Sequence, residues 1–234
     1  MSVAENIVHL RERIAFSAHR SGRDPDEISL MAVSKTVQPE LIHEAYNSGI
    51  RQFGESRVQE FAAKAEALID LRDAAWHMIG HLQTNKASNA VKLFSSIDSV
   101  DSLRLAEKLN LEAEKLGKKL PVLIESNIGG EAAKGGLIPD SDEMEELLRS
   151  APRLEHLIFQ GLMTVPPFSE DPEQTRPHFR KLRELSERIT AKNMPSLNMD
   201  VLSMGMSYDF EVAIEEGSTC VRVGTAIFGE REKI

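Results

Sequence analysis

Short apolar runs alternate with longer amphipathic stretches along almost the whole chain. The runs are "EISLMAVSK" (27–35), "IRQFGE" (50–55), "WHMIG" (76–80), "FSSIDSV" (94–100), "LPVLIESNI" (120–128), "LEHLIFQGLMTV" (154–165), "MDVLSMG" (199–205) and "STCVRVG" (218–224). Several are rich in Val, Ile and Leu and read as strands. The stretches between them carry apolar residues at i, i+3, i+4 and i+7, as in "DSLRLAEKLNLEAEKLG" (101–117), and read as helices. Gly117 and Gly217 suit helix C-caps. "MSVAENIVHLRERIAFSAHR" (1–20) predicts one further helix ahead of the first strand. Alternating strands and helices imply parallel pairing through right-handed crossovers. Eight such units predict an α/β fold, a single TIM-like (β/α)8 barrel over residues 1–234 with an additional N-terminal helix. An open doubly wound sheet is the competing arrangement, but the first strand is not followed by a G-x-G-x-x-G turn.

A barrel of this kind carries its site at the C-terminal ends of the strands. The residues there are Lys35, Glu55, Ser56, Gly80, His81, Asn127, Met163, Thr164, Ser203 and Arg222 to Thr225. In "TCVRVGT" strand alternation puts Cys220, Arg222 and Gly224 on one face and the two valines on the other. Arg222 then points into the barrel, where it needs either a carboxylate such as Glu125 or a ligand. The following "GTAIFG" (224–229) offers a glycine, a hydroxyl and free amides, and "LSMGMS" (202–207) adds Ser203, Gly205 and Ser207. Small-residue loops on the last two strands suit a phosphate. "HMIGH" (77–81) reads as strand and turn, not as a zinc helix, with His77 structural and His81 near a pocket. "NIGGEAAKGG" (127–136) lacks a nucleotide P-loop ending and reads as a loop at the barrel mouth.

Composition narrows the partners. With net charge −9, 41% hydrophobic and 28% charged residues, the chain is of ordinary soluble composition. The most basic stretch, "RKLRELSER" (180–188), alternates signs, which argues against nucleic-acid binding. The lone Cys220 excludes an internal disulfide and fits a reducing compartment. There is neither a signal-peptide core nor an apolar run of membrane-spanning length, so the expected location is cytoplasmic.

A lysine amine attacks carbonyls when its surroundings supply the free base. A ligand with an aldehyde at one end and a phosphate at the other would use both Lys35 and the last-strand loops. Pyridoxal 5'-phosphate (PLP) is such a ligand, with Lys35 forming the internal aldimine and the amides near Ser203, Gly224 and Thr225 holding the phosphate.

At these residues the sequence resembles the pyridoxal phosphate homeostasis protein family. The segments "AVSKT", "FGESRVQE", "WHMIGHLQTNK", "GLMTVPPF", "LSMGMSYDFEVAI" and "GSTCVRVGTAIFG" carry the likeness over nearly the whole chain. The resemblance implies a PLP-binding barrel similar to that of alanine racemase, with Lys35 as the Schiff-base lysine. It implies Arg222 opposite the pyridine nitrogen and Ser203, Gly224 and Thr225 at the phosphate. Where the family often has F-G-E-N, this chain has Ser56, a shorter group than asparagine. Glu131, Lys134 and Gly136 fit the family's glycine-rich loop.

An arginine at the ring nitrogen leaves that nitrogen unprotonated and weakens the electron sink. The sequence ends soon after the last strand, so no second catalytic domain is expected, and only Tyr46 and Tyr208 offer phenols. The expectation is a PLP-binding protein of vitamin B6 and amino-acid or keto-acid homeostasis, monomeric or weakly dimeric, with PLP-dependent apoenzymes as recipients. A low-activity racemase or decarboxylase is the alternative, and a cofactor-free Schiff-base aldolase a third.

Overall fold

A computed structural model describes residues 1–131 and 135–230. The eight runs form β1 (Ser29–Val33), β2 (Gln52–Glu55), β3 (Ala75–Met78), β4 (Ser96–Val100), β5 (Leu120–Glu125), β6 (Leu157–Met163), β7 (Leu197–Ser203) and β8 (Cys220–Val223). They pair in chain order, all parallel, and β8 returns to β1, closing the barrel. The seam registers Met31 with Arg222 and Ala32 with Val223. The fold is the expected TIM-like barrel.

The helices are α1 (Val3–Arg20), α2 (Pro39–Asn47), α3 (Val58–Lys64), α4 (Ala87–Leu93), α5 (Leu103–Lys115), α6 (Asp142–Ser150), α7 (Arg176–Ala191), α8 (Phe210–Glu215) and the short α9 (Thr225–Phe228). A capping box starts α1, where the Ser2 hydroxyl accepts the Glu5 amide at 3.2 Å and Glu5 accepts that of Ser2 at 2.8 Å. Its buried face, Val3, Ile7, Leu10, Ile14 and Ala18, keeps helical spacing. This face lies against α2, α8 and α9, and the Asn6 amide donates to the Ile227 carbonyl at 2.9 Å. The extra helix therefore spans the seam between the first and last units. Gly117 and Gly217 follow α5 and α8 with φ of 62° and 104°, the left-handed caps expected of them.

Two kinds of interior result from strand alternation. Outward residues such as Phe53 and Trp76 pack under the helices, their rings 4.9 Å apart, with Phe61 of α3 4.6 Å from Trp76. Emptying such a position, as in Phe61→Ala, costs about 3–5 kcal/mol. Inward residues fill the barrel itself. There Met31, Leu123, Met163 and Cys220 are buried but stand apart from the layer between strands and helices.

Candidate functional site

Each strand delivers its last inward side chain to the C-terminal mouth, and these side chains differ sharply in their surroundings. Arg222 is 3% exposed. Its Nη1 donates to the Ser203 carbonyl at 2.5 Å and to the Ser203 hydroxyl at 2.7 Å, and its Nη2 donates to the Thr164 carbonyl at 2.6 Å. The guanidinium is thus met by neutral oxygens of β7 and the end of β6, not by an ion pair with Glu125. Burial pulls its pKa down, but an arginine still keeps its charge. Ser203 is fully buried and its hydroxyl is engaged with Arg222, so it fixes the guanidinium rather than opening toward the 205–207 loop.

Register places Glu125, Met163 and Ser203 side by side on one row. Met163 is wholly buried there, as floor beneath the mouth. Glu125 has one carboxylate oxygen, Oε2, buried with no hydrogen-bond partner among the described residues. Burial, reinforced by the charge of Asp101 and opposed by Arg222 and His81, pushes its carboxyl up to about 7. His81 is exposed and its Nδ1 lies 2.7 Å from Asp101 Oδ2. His77 does not join it. It sits lower in the barrel with Nδ1 3.0 Å from Asp98, a structural pair as expected.

Past β7 the chain turns at Gly205, φ 94°, where an added Cβ would lie 2.6 Å from the Ala213 Cβ. No other residue fits this turn, which brings the Ser207 hydroxyl to the Ala226 amide at 3.4 Å. The Gly205 carbonyl accepts the Arg222 amide at 3.0 Å. Gly224 and Thr225 begin α9 beside this loop, so both small-residue loops meet at one edge of the mouth, as the sequence suggested.

On the other side of the seam Lys35 is half-buried just beyond β1. Glu55, the neighbouring strand end, faces outward, toward partners that its place in the sequence does not announce. It is fully buried, accepts from the Ser34 hydroxyl at 2.6 Å, and lies 2.8 Å from the Lys64 ammonium. Burial raises its pKa against the pull of Lys64. Ser56 is half-buried and packs against Gly80 so closely that a Cβ there would fall 2.4 Å from its carbonyl oxygen. The mouth loop is anchored where Leu137 donates to Glu125 O at 2.8 Å and Asn127 donates to Leu137 O at 2.9 Å. Lys134 lies outside the described residues. Tyr46 is occupied by Asp73, and Tyr208 is exposed, edge-on to Phe168 at 6.0 Å.

The closed parallel barrel and its sequence together define a protein of the alanine racemase N-terminal domain class. Residues 6–232 match the family model of the alanine racemase N-terminal domain. The barrel is similar to alanine racemase of Clostridium difficile (TM-score 0.73, 16% identity, 99% of this chain and 57% of that one), a likeness of fold alone. The pyridoxal phosphate homeostasis protein of Aquifex aeolicus is 46% identical over 99% of this chain and 100% of its own. PipY of Synechococcus elongatus, whose structure was solved with PLP bound, superposes with TM-score 0.85 at 36% identity over 97% of this chain and 100% of its own. The chain belongs to the pyridoxal phosphate homeostasis protein family.

Proposed function

We propose that this protein binds PLP at the C-terminal mouth of its barrel and serves vitamin B6 and amino-acid or keto-acid homeostasis. The observation that carries this is the split constellation at the seam, with the Lys35 amine ending β1 and the buried Arg222 on β8. The PLP-bound structure of PipY, on the same fold, supports it. The residues present fit the cofactor. Gly205, Gly224 and Thr225 form a cradle of small groups for a phosphate, and Met163 supplies an apolar floor. Among the described residues the Oε2 of Glu125 is buried without a partner, a polar atom facing the mouth.

Lys35 condenses through its amine with the aldehyde, releasing one water, and holds the cofactor as a Schiff base. Ser203 and Thr164 hold the Arg222 guanidinium, which would face the ring nitrogen of the bound cofactor and, keeping its own protons, would leave that nitrogen neutral. Ser56 and His81 stand on the β2 and β3 side of the mouth, within the same rim. The bound cofactor supplies an electron sink, weakened here by the arginine, which favours holding and release to apoenzymes over turnover. The test is PLP addition, borohydride reduction and peptide mapping. The reading predicts one PLP mass on Lys35, and an unmodified Lys35 would refute it.

A slow racemase or decarboxylase is favoured by one observation, the Glu125 carboxyl near neutrality beside Arg222, suited to moving a proton. Amino-acid turnover that Lys35→Ala and Glu125→Gln both abolish would select this reading over simple holding.

A further inference from the structure

We propose that Glu60 of α3, backed by Lys64, is a positioning residue for the Lys35 amine; the inference rests on Lys35 being the cofactor lysine. Lys35 lies between two residues that α3 grips. On its N-terminal side the Ser34 carbonyl accepts from Lys64 Nζ at 2.8 Å while the Ser34 hydroxyl donates to Glu55. On its C-terminal side the Thr36 amide donates to the Glu60 carboxylate. Lys64 lies 2.8 Å from Glu55 and 3.6 Å from Glu60, joining the two grips.

Thr36 shows what the second grip is for. Its φ is 60°, a left-handed conformation that a β-branched residue adopts only when its surroundings enforce it. Thr36 is exposed and buries little, so packing does not account for the strain. The Ser34 carbonyl closes a turn by accepting the Val37 amide at 3.1 Å, and a charge-assisted hydrogen bond from the Thr36 amide to Glu60 holds that turn in place. The turn so enforced comes directly after Lys35 and sets the direction in which the lysine stem leaves the barrel wall. A flexible four-carbon stem whose root is fixed loses less freedom on reaching an aldehyde. Ser34 and Glu55 face outward, so Lys64 grips the chain from the helix layer, and Glu60 acts through the Thr36 amide.

The experiment uses the full chain as wild type, Glu60→Ala, Glu60→Gln, Thr36→Gly and Glu60→Ala/Thr36→Gly. It follows amide hydrogen exchange at Thr36 without PLP, the rate of borohydride-trappable adduct formation with PLP, and thermal melting. Loss of a charge-assisted bond should speed Thr36 exchange and slow adduct formation by about tenfold or more in Glu60→Ala. Glycine takes φ near 60° without strain, so Thr36→Gly should restore the rate of the double variant to within about threefold of wild type. A purely structural brace would lower the melting temperature without this rescue. The inference is overturned if Glu60→Ala reacts at the wild-type rate, or if the double variant stays as slow as the single one. Should Glu60→Ala not fold, Glu60→Gln replaces it, and Thr36 exchange and adduct rate must then shift together; a shift in one alone also overturns it. If wild type forms no adduct at Lys35, the cofactor reading fails, while Thr36 exchange still reports whether the clasp exists.

Discussion

The two ends of the barrel interior are both polar, but they treat their polar groups in opposite ways. At the N-terminal end a cavity of about 480 Å³ is lined by Ser29, Gln52, His77, Ser96, Asp98 and Cys220, among others. There Asp98 takes His77 at 3.0 Å and the Ser96 hydroxyl at 2.5 Å, and the Cys220 thiol donates to Gln52 at 3.9 Å. At the C-terminal mouth Arg222 is held firmly, yet among the described residues Glu125 keeps a buried oxygen without a partner, and Lys35 leaves its strand through a strained turn. Polar groups that satisfy one another stabilise a barrel. Groups left unmet, or held under strain, cost stability and have a use only when something binds.

Substitutions at the two ends should therefore separate binding from stability. The largest effect belongs to Lys35→Ala, which should abolish the borohydride-fixed PLP adduct while leaving the thermal melt near wild type. Asp98→Asn should do the reverse. It leaves His77 without its countercharge inside the barrel and should lower unfolding free energy by about 3 kcal/mol in urea titrations, with adduct formation at Lys35 retained.

A subtler contrast lies in pH dependence. The Glu125 carboxyl is raised to about 7 in the folded chain, so the folded state binds the extra proton. Its favourable contribution is present below the ordinary carboxylate pKa and is lost as pH rises through about 7. Glu125→Gln should remove that loss and gain on wild type at pH 8, as paired melts at pH 5 and pH 8 would show. His77 is also raised, the Asp98 charge and hydrogen bond together outweighing a larger opposing effect of burial. Its contribution likewise fades as pH rises through its folded pKa, so the Glu125 comparison should be repeated in a His77→Asn background. The smallest effect concerns Cys220, whose thiol burial pushes up to about 12. Alkylation by iodoacetamide at pH 8 should be negligible in the folded protein and rapid in urea.

Much of the barrel was legible because alternation and helical spacing are local signals. All eight apolar runs contain or overlap a strand, and the flanking polar residues blur only the ends, as where "EISLMAVSK" narrows to Ser29–Val33. Arg222 was placed inside by parity alone, whereas Met163 and Ser203 were named only as strand ends, and register sets those two side by side. What spacing could not reveal was which acceptors Arg222 would find, because Thr164 is 58 residues away and reaches it through a carbonyl. Glu55 was named as a strand end without its direction, and parity with Phe53 would have turned it outward. The Glu60–Lys64 clasp was missed for another reason. Its spacing of four looks like an ordinary surface ion pair on a helix, and only the strained turn at Thr36 distinguishes it.

The closing pair of strands has a further consequence, in time rather than in space. Lys35 and Arg222 stand on opposite sides of the β1–β8 seam, 187 positions apart in the chain (222 − 35). A ribosome-bound chain can complete seven strands and still possess only half of the constellation. Pairings of large sequence separation are slow to form, so on the proposed function the site is complete only once β8 closes against β1.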